Sequence, residues 1–233
     1  MPQKTPLLLL PGLLCDRRLY APQIAALDDV AEITVPDLTR DESFAAMVRR
    51  VLADAPEKFA LAGLSMGGYV AQEIMRTAPQ RVSRLALLDT SARADLPEQA
   101  QRRRDLIDLS KKGQFHGVGQ QLLPNLIHPD RMGDTALTDT IQAMAEAVGA
   151  EAFRRQEVAI LVRKDGRPDL ARIAVPTLIL CGQDDRLTPP KVAKEMSALI
   201  PQAKLVIIER CGHMSTLERP EPVNHALREW LVD

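Results

Sequence analysis

The sequence predicts an α/β domain: a doubly wound, mostly parallel sheet of six strands with an inserted helical cap. Three observations predict it. Short apolar runs alternate with helix-patterned segments up to about residue 92, and again from Pro176. Residues 93–172 hold helical patterns and no convincing strand. An apolar run, Phe59–Leu64, leads through Gly63-Leu64-Ser65-Met66-Gly67 directly into another helix-patterned segment. Strand–helix alternation at this spacing gives parallel strands joined by right-handed crossovers. An all-helical stretch within such an alternation reads as a cap over one rim of the sheet. The expected division is therefore a core, residues 1–92 and 173–233, and a cap, residues 93–172.

Taken in order, Thr5–Leu10 is a continuous apolar run, as a strand buried on both faces requires. Pro11-Gly12 ends it. The run Leu7–Leu14 before Cys15 has some look of a leader peptide. Pro-Gly interrupts it, however, and the residue before Cys15 is leucine rather than a small residue, so the strand reading is preferred. From Asp16, Leu19, Ile24 and Leu27 lie on one helical face. Residues 32–36 form a second strand. Residues 41–55 form a helix, with Asp41 or Ser43 as cap and Phe44, Met47, Val48, Val51 and Leu52 facing inward. The helix after Ser65 stops near Ala78-Pro79, and Val82–Leu88 is a fourth strand. In the cap, residues 98–112, 115–123, 137–148 and 151–163 read as helices, with breaks at Gly113, Pro124, Pro129, Gly133 and Gly149. Arg102–Arg104 and Arg154–Arg155 read as solvated faces, with an anion site as the alternative. Residues 177–181 form a strand, a helix follows to about Ile200, Lys204–Ile208 is the last strand, and residues 220–231 are a C-terminal helix.

Composition narrows the function classes. The chain has 233 residues, 45% of them hydrophobic, enough for one sizeable core. Lys and Arg number 30 against 31 Asp and Glu, so no global bias points to nucleic acid or an anionic membrane. Aromatics at 3% are too few for a base-stacking platform. No apolar run is long enough to span a bilayer. Three cysteines, Cys15, Cys181 and Cys211, show no C-x-x-C pairing, and their odd number fits a reduced, cytoplasmic protein. Cys15 and Cys211 read as small buried hydrophobes. No spacing suggests a metal site, and neither a dinucleotide nor a Walker fingerprint is present, so no cofactor is expected. Oligomeric state is not readable from the sequence.

The chemistry centres on Ser65. Strand, G-x-S-x-G, helix is the context of a nucleophile elbow, a turn so tight that the residues two before and two after the serine must be small. Gly63 and Gly67 meet that need, and Gly68 lets the helix approach the strand. A serine hydroxyl needs a base, and the base needs an orienting acid. Of four histidines, His116 and His128 lie in the cap and His225 in the last helix. His213 alone follows the final strand in a glycine-containing loop, and is the expected base. The acid should follow the penultimate strand, where Asp184 and Asp185 stand; Asp89, after the fourth strand, is a third candidate. Leu14, Met66 and Met214 flank the expected site and, with Leu122, Leu123, Leu126, Ile127 and Met144 of the cap, suggest an apolar pocket.

With these residues in this order the chain resembles the α/β-hydrolase family, over nearly its whole length. The resemblance implies the α/β-hydrolase fold and the chain order Ser, Asp, His. It favours Asp185, three residues after the strand-ending Gly182, as the acid. It implies an oxyanion hole from the backbone N–H groups of Met66 and Leu13. Many relatives carry His-Gly where this chain has Pro11-Gly12; the glycine turn is kept but a bracing histidine is lost. Serine at the elbow separates the chain from branches that use aspartate there. The expected activity is serine hydrolysis of a small carboxylic ester or thioester, with Leu14 and Met214 at the substrate. The branch it looks like holds pimeloyl-carrier-protein methyl ester esterases, carbon–carbon hydrolases and small carboxylesterases. Two other outcomes stay open: elimination or perhydrolase chemistry on the same triad, and a slow-turnover small-ligand receptor.

Overall fold

The computed structural model describes residues 4–112 and 115–232. Six strands, β1 (Thr5–Leu10), β2 (Ala31–Thr34), β3 (Phe59–Leu64), β4 (Val82–Leu88), β5 (Thr177–Gly182) and β6 (Lys204–Ile208), form one sheet in the order β2-β1-β3-β4-β5-β6. Every neighbouring pair is parallel. Ten α-helices are described: α1 (Ala21–Leu27), α2 (Phe44–Asp54), α3 (Met66–Thr77), α4 (Pro97–Lys111), α5 (Phe115–Leu126), α6 (Thr135–Leu161), α7 (Arg167–Leu170), α8 (Pro190–Leu199), α9 (Ser215–Glu218) and α10 (Pro220–Val232).

Strand side chains alternate between two cores. Leu8, Leu10, Phe59, Leu61, Leu85, Leu87 and Ile179 pack with α2, α3 and α8. Leu7, Leu9, Ala60, Ala62, Ala86, Leu88, Leu178 and Leu180 pack with α1 and α10. Both faces are covered, which is why these strands read as unbroken apolar runs. Leu7, Leu9 and Leu10 are fully buried, so the leader-like N-terminal run is a core strand.

The local departures have local causes. The chain after Asp16 makes a 3₁₀ turn over Arg17–Tyr20, capped by Asp16 on the Arg18 amide at 2.9 Å, before α1 starts. Ser43 caps α2, its hydroxyl accepting from the Ala46 amide at 3.3 Å. Pro124 does not stop α5. The helix runs on to Leu126, whose carbonyl accepts the amides of His213 (2.9 Å) and Met214 (3.1 Å), so its last turn is held from outside. Gly149 breaks α6 as expected, with φ 76°, ψ 168° between two helical halves. The expected break at Gly113 lies outside the described residues. The short helices α7 and α9 are too brief to show a period in sequence. No described helix is long and apolar enough to cross a membrane.

Between β4 and β5 the chain makes no strand among the described residues. Its helices α4, α5 and α6 pack on one another and on Leu13 and Leu14 of the loop that follows β1. Ligands in parallel sheets bind beyond the carboxyl ends of the strands.

Candidate active site

Ser65 sits between β3 and α3 with φ 54°, ψ −113°, a left-handed conformation that non-glycine residues adopt only when the surroundings enforce it. The surroundings here are tight. A Cβ on Gly63 would lie 2.3 Å from the Gly67 carbonyl oxygen, and one on Gly67 would lie 2.0 Å from that of Leu10. The Ser65 amide donates to the Leu88 carbonyl (3.0 Å), and its own carbonyl accepts from the Thr90 hydroxyl (2.8 Å). Strain and anchors together fix the hydroxyl above the sheet.

The Ser65 hydroxyl lies 2.8 Å from His213 Nε2, and His213 Nδ1 lies 2.8 Å from Asp185 Oδ2. With the imidazole proton on Nδ1, donated to Asp185, Nε2 is left to accept from Ser65. Asp185 is held in turn by the amides of Leu187 (2.8 Å) and Thr188 (2.9 Å) and by the Thr188 hydroxyl (2.7 Å). Burial opposes ionisation of Asp185, but the charge and hydrogen bond of His213 outweigh it and hold the carboxyl below its ordinary pKa. Burial likewise opposes a charged imidazole, but Asp185 outweighs it, so His213 titrates above its ordinary value. A raised affinity of the imidazole for a proton is what a general base requires.

Of the three acid candidates, the structure brings Asp185 to His213. Asp184 faces the other way, its Oδ2 3.6 Å from His128 Nε2. Asp89 is fully buried behind the site with φ 42°. Its Oδ1 accepts the Gly182 amide at 2.8 Å, and its Oδ2 accepts the Ser215 hydroxyl in a very short bond and the Ser215 amide at 3.4 Å. It thus ties the loop that carries Asp185 to the loop that carries His213. Burial and then the negative charge of Asp185 push its pKa up to about 8.

Met66 is the first residue of α3, so its amide has no preceding helical carbonyl to meet. Leu13 lines the same cavity as Ser65. Next to it, Leu14 has φ 59° and donates its amide to Gln156 Oε1 at 3.2 Å, while Gln156 Nε2 reaches the Leu38 carbonyl at 3.2 Å. A buried glutamine of α6 therefore braces the loop after β1. Glu218 plays a parallel part. Its Oε1 accepts the amides of Gly212 (2.9 Å) and Met214 (3.3 Å), and its Oε2 that of His128 (2.7 Å). Sequence reading missed Gln156, Thr188 and Glu218; Gln156 and Leu14 stand 142 positions apart, and no local pattern links them.

The cavity over Ser65 has a volume of about 390 Å³. Leu14, Met214, Leu122, Leu123 and Leu126 line it, as expected. Three expectations are corrected. The Met66 side chain is no pocket wall: it is fully buried in the core between β1 and α3. Ile127 and Met144 are likewise spent on core packing. Arg103 is not on a solvated face. It lies between two buried carboxylates, with Nε 2.8 Å from Asp95 and Nη1 2.8 Å from Glu157.

Asp89, Cys181 and Asp185 bring potential ligand atoms within 4.8 Å of one another. The carboxylates are already engaged by the donors named above. Burial, and then the charge of Asp89, push the Cys181 thiol far up, so it stays a neutral thiol donating to the carbonyls of Gly182 (3.2 Å) and Thr188 (3.3 Å). A cation would have to displace these bonds. Cys15 and Cys211 are buried too, and burial lifts the Cys15 thiol to about 12.

A six-stranded parallel sheet, a serine on a strained strand–helix turn, and histidine and aspartate on the loops after the last two strands define an α/β enzyme of the hydrolase type. Residues 7–226 match the model of the alpha/beta hydrolase family, and the chain belongs to it. It is 30% identical over 223 residues to the pimeloyl-[acyl-carrier protein] methyl ester esterase of Edwardsiella ictaluri, covering 91% of this chain and 86% of the relative. A thermophilic esterase from Thermogutta terrifontis, solved with malate bound, superposes with a TM-score of 0.92 at 30% identity, over 98% of this chain and 90% of that one. The enol-lactonase from Burkholderia xenovorans LB400 shares the fold, with a TM-score of 0.89 at 23% identity over 99% and 92% of the two chains.

Proposed function

We propose that this protein hydrolyses a small carboxylic ester or thioester through an acyl-enzyme on Ser65. The observation that carries the reading is the unbroken hydrogen-bonded relay Asp185–His213–Ser65, which ends at the cavity. The names of its relatives, two of them esterases, agree with it. Residues 93–172 act in this reading as the cap, on a core of residues 1–92 and 173–233.

Ser65 Oγ attacks the acyl carbon as its proton passes to His213 Nε2. The carbonyl oxygen becomes an oxyanion facing the N–H groups of Met66 and Leu13. Asp185 balances the imidazolium. Collapse breaks the bond to the leaving group, which departs with the proton from His213. A water then gives its proton to Nε2 and attacks the acyl carbon. The acid leaves as Ser65 recovers its proton.

The test is turnover of short-chain nitrophenyl esters beside Ser65→Ala. The expected loss in kcat is about 10⁴-fold or more. Intact mass after rapid quenching should show wild type heavier by one acyl group. Retention of near-normal turnover in Ser65→Ala would refute the assignment. A single burst without steady state would favour a receptor, and absence of an acyl adduct with the true substrate would favour elimination chemistry.

A further inference from the structure

The wall of the cavity is not electrically balanced. It carries six basic side chains and one carboxylate, Glu157. Three of the bases are already matched. Arg93 holds Glu195 with two bonds of 2.8 and 2.9 Å. Arg103 holds Asp95 and Glu157, and Arg163 meets Asp95 at 2.7 Å while lying 4.5 Å over the Tyr69 ring. The other three, Arg102, Arg186 and Lys191, have no carboxylate within 4.0 Å among the described residues. Arg186 makes one long contact, to the Pro124 carbonyl at 3.5 Å.

These three exposed cations come from separate elements: α4, the loop after β5, and the first turn of α8. They converge at the mouth of the cavity that holds Ser65, in a chain whose net charge is −1, so the excess is local. Lys191 also stands in the first turn of a helix, where the dipole disfavours a cation unless an anion sits beside it. The rest of the lining is mainly apolar, with Leu14, Leu64, Ile141 and Met214 beside the ion-paired Arg103, Arg163 and Glu157. The cavity therefore combines an apolar wall with three unmatched, exposed cations.

We propose that Arg102, Arg186 and Lys191 form an oxyanion-binding mouth, so that the preferred ester carries a carboxylate or phosphate at the end remote from the scissile bond. The inference rests on the hydrolytic reading of Ser65 and names the substrate class for that site. Arginine and lysine at an apolar entrance suit an amphiphilic substrate: the alkyl segment fills the leucine-lined interior, and the charged end stays partly hydrated at the rim.

Monomethyl adipate, dimethyl adipate and the methyl ester of 6-phosphohexanoic acid test it, as esters matched in acyl length and differing in terminal charge. The expected kcat/KM for the better anionic ester exceeds that of the diester by about tenfold at low salt, and the preference shrinks severalfold at 0.5 M NaCl. The anion that benefits more, carboxylate or phosphate, identifies the group. In Arg102→Ser/Arg186→Ser/Lys191→Ser the ratio should fall to about one, with the melting temperature confirming the fold. Equal rates on charged and neutral esters, with no salt dependence, would overturn the proposal while leaving ester hydrolysis intact. Calorimetric binding of adipate and hexyl phosphate against 1,6-hexanediol reads the mouth without turnover. Binding of either anion with no hydrolysis of any ester would keep the mouth and refute the hydrolytic reading. No binding of either anion by the wild-type protein would overturn the mouth.

Discussion

Asp89 offers the sharpest test of how the rim is held together. Truncation to alanine removes an acceptor from three buried donors: the Gly182 amide, the Ser215 amide and the Ser215 hydroxyl. Each stranded donor costs about 1–3 kcal/mol, and the 3.4 Å amide contact is the weakest, so Asp89→Ala should lose about 3–5 kcal/mol. That is a large part of the ~5–15 kcal/mol that holds a typical domain. Asparagine is different. It keeps an oxygen for Gly182 and sets an NH₂ against a hydroxyl that can turn to accept, so Asp89→Asn should cost only ~1 kcal/mol. The two variants should also part in pH dependence. The folded-state pKa of Asp89 is raised to about 8 from 3.8, so its contribution is full below 3.8 and is lost as pH rises toward 8. His213, which the charge of Asp89 helps to raise, and Glu218 contribute in the same sense, so Asp89→Asn removes the Asp89 titration together with its share of the His213 shift. Wild type should lose more stability than Asp89→Asn as pH rises from 5 to 7. Urea unfolding at pH 5, 6 and 7 measures both quantities. Parallel slopes for wild type and Asn, or an Ala variant within ~1 kcal/mol of wild type, would refute the reasoning.

Other expectations are simpler. Asp185→Asn should lower kcat about 10³–10⁴-fold in nitrophenyl ester assays, because it can favour the tautomer in which Nε2 no longer accepts from Ser65. The acidic limb of kcat/KM against pH should have its midpoint above 6.5, since His213 must be neutral to act and its pKa is raised by Asp185; in Asp185→Asn that midpoint should move down. Gly67→Ala places a Cβ 2.0 Å from a backbone oxygen of β1, and neither partner is a flexible side chain, so soluble yield and melting temperature should both fall sharply.

The sheet was legible in sequence because its strands are buried on both faces and its helices on one, which makes two distinct periods. The candidates Ser65 and His213 were legible because each follows a strand in a glycine-containing turn; Asp185 was separated from Asp184 and Asp89 only by the family resemblance. The wall of the pocket was less so. Met66 beside Ser65, and Ile127 and Met144 in residues 93–172, are apolar, yet sequence carries no sign of whether such a side chain turns toward core or cavity. Arg103 belongs to an arginine run that reads as a solvated face, and Asp95 and Glu157, which bury it, come from a loop and from a helix more than fifty positions on. Contacts of that range follow from how the helices of residues 93–172 pack, and no local pattern encodes them.

The carbonyl of Leu126 accepts the amides of His213 and Met214. Helix α5, which lies over the cavity, therefore ends on the backbone of the proposed base. A substrate that pushed this end of α5 outward would drag the imidazole away from Ser65. Leu96, Gln99 and Arg102 border the cavity on its α4 side, so entry there would leave the contact between α5 and His213 in place. The position of the proposed base therefore depends on a helix of residues 93–172 as well as on the strand loop that carries it.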